Sequence, residues 1–292
     1  MAFGKTIRTF FDGRWRDGDA MVMRAADHGL WQGSSVFDGA RRFEGVAPDL
    51  DRHCARVNRS AEALMIRPTV EADAMVETIR EGLEGFAPGE AVYIRPMYWA
   101  IHGSDVGVAP SDEETGFAIC LETVPMPAPE ATTTLTRTSF RRPVLEDAVC
   151  DAKAGCLYPN NARMLVEARR KGFGNALVAD AMGNVAESAT SNVFVVRDGE
   201  ALTPVGNGTF LAGITRARHM TNLRREGIPV REAVLTFADV EAADEVFLSG
   251  NLTKVQPVVA FDERHYQVGP VTRRVREMYW DWALSDGHPA AA

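Results

Sequence analysis

The chain has 292 residues, 46% of them hydrophobic and 25% charged, with a formal net charge of -8. That length serves one large domain or two of ordinary size, and the acid excess argues against nucleic acid as a partner, since no basic patch is present to release counterions. No apolar run reaches the roughly 18 residues that a membrane-crossing helix needs. The opening MAFGKTIRTFFDG lacks a signal peptide's long apolar stretch. FFDGRW (10–15) reads as a tight hairpin, because Asp12-Gly13 suits positive φ. In 50–65 the apolar residues Leu50, Cys54, Val57, Ala61 and Leu64 recur at three- and four-residue steps, which predicts a helix. A second helix is predicted over 71–83, with Gly85 and Pro88 beyond its end. Segments 91–99 and 116–124 are rich in β-branched and aromatic residues and read as strands.

PMPAPEA (125–131) carries three prolines in five positions, sustains neither helix nor central strand, and is expected to be a linker. The expected division is therefore a small N-terminal α+β domain over 1–124 and a larger domain over 132–292. Beyond the linker, 132–140 reads as a strand. A helix starts at Pro159-Asn160 and stops at Gly172. NALVAD and NVFVV are predicted strands flanking a turn at MGN, and Asp198-Gly199 turns the chain again. Helices are expected over 213–227 and 269–284, and 243–250 is expected to be a strand running into a loop. Cys54, Cys120, Cys150 and Cys156 show no metal-ligand spacing and no small-domain framework, which predicts reduced thiols in a cytoplasm and no metal.

Of 32 basic side chains only four are lysines: Lys5, Lys153, Lys171 and Lys254. A lysine, unlike an arginine, can lose its proton and attack a carbonyl. Lys153 lies among small residues in DAKAGCLYPNNA, just ahead of a predicted helix. Lys5 lies in the N-terminal stretch, Lys171 closes the ARRKG turn, and Lys254 follows a small-polar loop with no helix or aromatic partner expected to organise it. A Schiff-base lysine serves either a carbonyl substrate or pyridoxal phosphate (PLP). The latter also needs an acid at its ring nitrogen, a donor at its phenolic oxygen and donors for its phosphate. Glu187, in VAESATSNVFVV, is either a turn glutamate or a core-edge carboxylate suited to a protonated ring nitrogen. GTFLAGITR brings Gly213, Ile214 and Thr215 to a helix start, and SGNLTK is a second small-polar loop at a strand's end.

In order and spacing, DAKAGCLY, VAESATSNVFVV, FLAGITR, DEVFLSGN and GPVT resemble the motifs of the class IV PLP-dependent aminotransferases. So do GSSVFDGARR, HCARVNRSAEAL and VYIRPMYW in the first half. The resemblance implies the α+β, two-domain fold type IV (D-amino acid aminotransferase-like), with the cofactor held between a small N-terminal and a larger C-terminal domain. It implies a homodimer, a ping-pong reaction, and these roles: Lys153 as Schiff-base former and proton-transfer base, Glu187 at the ring nitrogen, and Tyr158 at the phenolic oxygen. Arg56, Gly213, Ile214, Thr215 and Asn251 would serve the phosphate, and Leu211 the ring face. SVFDGAR and YIRP resemble the branched-chain type, so Phe37, Gly39, Tyr93, Arg95 and Leu252 match its substrate pocket. Val108, in DVGVAP, matches its loop from the partner subunit. An arginine fork such as Arg95 suits the distal carboxylate of glutamate, or else forms a strand salt bridge. The implied substrates are an apolar L-amino acid and a 2-oxo acid such as 2-oxoglutarate. Departures stand at Gln32, where that type has tyrosine, and at Gly250-Asn251-Leu252, where it has GTA. Trp31, Tyr98 and Trp99 either pack or favour bulky substrates. A D-amino acid or (R)-amine transaminase, an aminodeoxychorismate lyase and a non-catalytic PLP binder stay open as alternatives.

Overall fold

The computed structural model describes residues 4–285. Its contacts form two units: residues up to Met126 together with Ala152–Cys156 and the chain from Ala283, and Pro127–Asp151 with Leu157–Trp282. The return of Ala152–Cys156 to the first unit differs from the sequence reading, which gave it to the C-terminal domain. Three backbone-level links explain the difference. Phe37 N–H donates to the Lys153 carbonyl at 3.1 Å, Lys153 N–H donates to Ser60 Oγ at 3.1 Å, and Val36 forms an antiparallel bridge with Ala154.

In the first unit, β1 (Ile7–Phe11) and β2 (Arg14–Asp17) form the expected hairpin. Asp12 and Gly13 both take the left-handed backbone that a two-residue turn requires, at φ 58° and 74°. There follow α1 (His28–Trp31), β3 (Ser35–Phe37), β4 (Ala40–Arg42), α2 (Leu50–Ala63), α3 (Ala72–Leu83), β5 (Val92–Ala100) and β6 (Thr115–Thr123). Among the described residues the sheet order is β2-β1-β6-β5-β3, with β4 also on β5 and every pair antiparallel. α2 and α3 cover one face through Leu50, Cys54, Val57, Met75, Ile79 and Leu83, which meet Ile94, Tyr98, Ile119 and Leu121. Alternation along β5 sends Ile94 and Tyr98 into that core and leaves Tyr93, Arg95 and Met97 on the opposite face.

The second unit runs β7 (Thr133–Arg141), α4 (Tyr158–Arg170), β8 (Asn175–Ala179), β9 (Val185–Ser188), β10 (Asn192–Arg197), β11 (Glu200–Pro204), α5 (Ile214–Arg225), β12 (Val230–Ala233), α6 (Phe237–Glu241), β13 (Glu245–Gly250), β14 (Lys254–Phe261), β15 (Arg264–His265) and α7 (Pro270–Ser285). Its mixed sheet has the order β12-β11-β10-β13-β14-β7-β8-β9, with β15 on β14. One face packs Val193, Val195, Leu248 and Val258 with Leu235 and Val240, and the other packs Phe194, Val196 and Phe247 against Met220 and Leu223 of α5 and Val275 and Met278 of α7. Cover on both faces accounts for the unbroken apolar run of NVFVV. Two local readings change. Glu187 lies inside β9, and SGNLTK is a tight hairpin turn, because Lys254 already pairs with Gly250.

Candidate active site

Lys153 owes its position to its main chain, held by β3 through Phe37 and by α2 through Ser60. Its ammonium stands 4.9 Å from the centre of the Phe37 ring. Beside Phe37 a cavity of about 280 Å³ is lined by Val22, Met23, Arg95, Met97 and Trp99 among others. Gly39 has no room for a β-carbon, which would stand 2.2 Å from the Tyr93 hydroxyl. Arg95 bonds to Glu122, a carboxylate only 1% exposed, and its guanidinium carbon lies 5.1 Å from the Tyr93 ring centre. Of the two readings of Arg95, the strand salt bridge is therefore present. Burial alone would depress the Arg95 pKa, but Glu122 outweighs it and the net shift is upward. Trp99 donates its indole N–H to Asp27 at 3.0 Å, Tyr98 lies in the core, and Trp31 is exposed.

Arg56 is a rigid cation. Its Nε and a terminal nitrogen donate to the two oxygens of Asp38 at 2.6 and 2.8 Å, and His53 Nδ1 lies 2.7 Å from the same carboxylate. Burial would raise the Asp38 pKa, but the charges of Arg56 and His53 override it and hold the carboxyl well below the usual range. Arg41, next on β4, is fully buried, and desolvation lowers its pKa to about 10.

In the second unit the structure gathers Glu187, Leu211 and Gly213 around one side chain that sequence reasoning missed, Asn192. Its amide nitrogen donates to Glu187 Oε2 at 3.3 Å and to the Leu211 carbonyl at 3.1 Å. Its oxygen occupies the space a Gly213 β-carbon would need, at 2.0 Å. Glu187, 8% exposed, is also paired with Arg142 at 3.0 Å. That arginine further donates to Asn161 Oδ1 at 2.6 Å and to the Ser188 carbonyl at 3.1 Å. A buried carboxylate needs such partners, so Glu187 is no surface turn residue. Helix α5 begins after Gly213 without any side-chain cap, and Ala217 is the first to donate back, to the Gly213 carbonyl. The N–H groups of Ile214 and Thr215 thus head a helix dipole with no capping side chain.

Lys254 contradicts its sequence reading. It is 1% exposed, its ammonium donates to Asn251 Oδ1 at 2.6 Å, and it stands 5.5 Å from the centre of the Tyr279 ring on α7. Helix and aromatic ring both organise it. A lysine can only donate, which fixes the Asn251 amide with its oxygen inward. The Asn251 Nδ2 is left as a buried donor with no partner among the described residues. The remaining expected residues are more open. Tyr158 begins α4 and is 36% exposed, Leu252 lies half out of the turn, and Val108 is 72% exposed on the loop that His28 Nε2 holds through the Gly107 carbonyl at 3.1 Å. Gln32 is the exposed C-cap of α1.

Within the second unit the donors suit a phosphorylated pyridine, with an uncapped helix start and an orphaned amide for a phosphate and a buried carboxylate for a ring nitrogen. The model of the class IV amino-transferase family matches residues 35–261. A putative branched-chain-amino-acid aminotransferase of Methanocaldococcus jannaschii is 30% identical over 94% of this chain and 96% of its own. An aminotransferase from Brucella abortus, solved bound to PLP, is 56% identical with a TM-score of 0.94, over 96% of this chain and all of that one. The branched-chain aminotransferase of Thermoproteus uzoniensis, solved with norvaline, gives a TM-score of 0.87 at 27% identity, over 96% and 95%. With most of its length matched in sequence and in fold, the chain belongs to the class IV aminotransferases, the fold type IV enzymes that move amino groups with pyridoxal phosphate.

Proposed function

We propose that the chain transfers the amino group of an apolar L-amino acid, of branched-chain type, to a 2-oxo acid, and that it works as a cytoplasmic homodimer. The observation that carries the reading is the clamped lysine, Lys153, fixed at both its N–H and its carbonyl. The named relatives support the substrate class. Bound pyridoxal phosphate supplies an aldehyde that condenses with amines and a ring that draws electrons from the adjoining carbon. Lys153 Nζ takes the proton from the substrate α-carbon and passes it on, in two half-reactions of a ping-pong cycle. Glu187 holds the ring nitrogen, kept in place by Arg142 and Asn192. The N–H groups of Ile214 and Thr215, with Arg56 and Asn251, hold the phosphate. Tyr158 serves the phenolic oxygen, and Leu211 packs on the ring. Phe37, Gly39, Tyr93, Arg95 and Leu252 bound the substrate, and Val108 belongs to a loop offered to a second copy.

The test uses purified holoenzyme, L-leucine and 2-oxo acids, with the cofactor absorbance band as a second readout. Wild type shifts its band on addition of L-leucine alone and turns over once an acceptor is present. Lys153→Ala loses turnover by at least about a thousandfold. Full activity in that variant would overturn the assignment. Size-exclusion chromatography with light scattering checks the dimer.

A further inference from the structure

We infer that Lys254 is a positioning residue for the cofactor phosphate: it fastens the turn after β13 to α5 and keeps the Asn251 amide nitrogen available to the anion. The inference rests on the proposed function, which counts Asn251 among the groups that hold the phosphate. Two routes place this turn beside the start of α5. Ser249 on β13 pairs with Asn192 on β10. Asn192 in turn holds the Leu211 carbonyl at 3.1 Å and fills the space that a Gly213 β-carbon would need. Gly250 packs into the same corner, since a β-carbon there would stand 2.8 Å from Ser191 Oγ. The second route is His219. It follows Thr215 by one helical step of four residues and so lies on the same face of α5. Its Nε2 donates to the Lys254 carbonyl at 3.1 Å.

The Lys254 side chain completes the fastening. The residue takes the left-handed backbone at φ 61°, and its ammonium comes back to Asn251 Oδ1 at 2.6 Å, with the Tyr279 ring on its other flank. An ammonium offers donors only, so the amide keeps its oxygen on the lysine and its nitrogen turned away. That nitrogen is a buried donor with no partner among the described residues, and Ser249 Oγ is a second buried polar atom in the same state. Ser249 stands two positions from Phe247 on β13, on the side that faces α5. Unpaired buried donors beside an uncapped helix start call for an acceptor from outside the chain. A phosphate, with three acceptor oxygens, answers that call. Without the lysine the amide could turn over and present its oxygen, which repels an anion.

The test compares PLP with pyridoxal, the same aldehyde without its phosphate, by absorbance titration of the full chain after its cofactor has been removed. A residue that acts on the phosphate changes the ratio of the two dissociation constants, whereas general loosening weakens both alike. Lys254→Met keeps the length of the side chain and removes its donors. Its dissociation constant for PLP should rise about tenfold, with that for pyridoxal held within about twofold. Asn251→Ala should match that loss, and the double variant should lose no more than either one, because the lysine acts through the asparagine. Asn251→Asp leaves the lysine in place and puts an anion where the nitrogen stood, so it should shift the ratio further than Asn251→Ala. That variant decides the matter if Lys254→Met does not fold. An unchanged ratio in Lys254→Met, an equal loss of both aldehydes, additive losses in the double variant, or full PLP affinity in Asn251→Asp would each overturn the inference. A wild type that binds pyridoxal as tightly as PLP would remove the phosphate assignment in the proposed function itself, a failure distinct from those of the variants.

Discussion

Gly213 is limited by space and not by backbone: its φ of -69° suits any residue, yet a β-carbon would stand 2.0 Å from Asn192 Oδ1. Gly213→Ala must therefore displace Asn192, releasing the Leu211 carbonyl and Glu187 together. The dissociation constant for PLP, followed by absorbance titration, should rise about tenfold, with far-ultraviolet circular dichroism preserved. The Asp38 carboxylate behaves differently, because it is buried between two cationic partners. Its folded pKa lies below the unfolded value, so its contribution is complete above about pH 4 and is lost only as pH falls through the depressed value. Asp38→Asn should cost about 3–5 kcal/mol at neutral pH by leaving Arg56 without its counter-charge, read as a lower urea midpoint. An unfolding free energy within about 1 kcal/mol of wild type contradicts the buried pairing.

Single elements carry the lysine to its place. Ser60, on α2, accepts the Lys153 N–H through its hydroxyl, so Ser60→Ala removes that acceptor. Its kcat should fall about tenfold while the melting temperature drops by only a few degrees. Helix α4 is tied to β7 through Glu167, which accepts from Thr138 Oγ1 at 2.5 Å and from the Ser139 N–H at 3.1 Å, and pairs with Lys171 at 2.9 Å. Burial opposes the shift, but these donors lower the Glu167 pKa to about 2. The stability gap between wild type and Glu167→Gln should thus be full above about pH 4.5 and close as pH falls through about 2, as thermal melts across that range would record. Elements of this kind were legible wherever one periodicity dominated: α2 and α3 bury a single stripe, and β10 is covered on both faces. β14 was hidden by Pro257, which argues against a central strand, yet it pairs with Phe247 one residue from the register shift at Val258/Ala260. The site was half legible. Lys153, Glu187 and the α5 start stand in motifs, and Asn192 stands in the Glu187 motif with its second partner, Leu211, 19 residues on, whereas Arg142, Asp38 and Glu122 act through partners farther along the chain. Lys254 misled because a turn motif says nothing of the helix α7 that arrives to cover it.

For the molecule as a whole, the cofactor is expected to act as a ligand of the folded state alone. Removing PLP should lower the melting temperature, and restoring it at about 100 times its dissociation constant should return about 2.7 kcal/mol, on the order of 5–10 °C for a chain of this size. An unchanged melting curve would deny any coupling of the donor set to PLP. The five-residue excursion Ala152–Cys156 reaches further still. The chain leaves the first unit after Met126, comes back for those residues, leaves again and returns at Ala283. A gene fragment ending at the linker would therefore encode a sheet missing the segment that bridges to Val36, with the Phe37 amide and Ser60 hydroxyl left wanting. The bridge between Val36 and Ala154 also closes one of the longest loops in the first unit, and long closures come late in folding. Chemistry is thereby reserved for finished molecules: a nascent or half-folded chain has no placed lysine with which to trap the cell's free aldehydes.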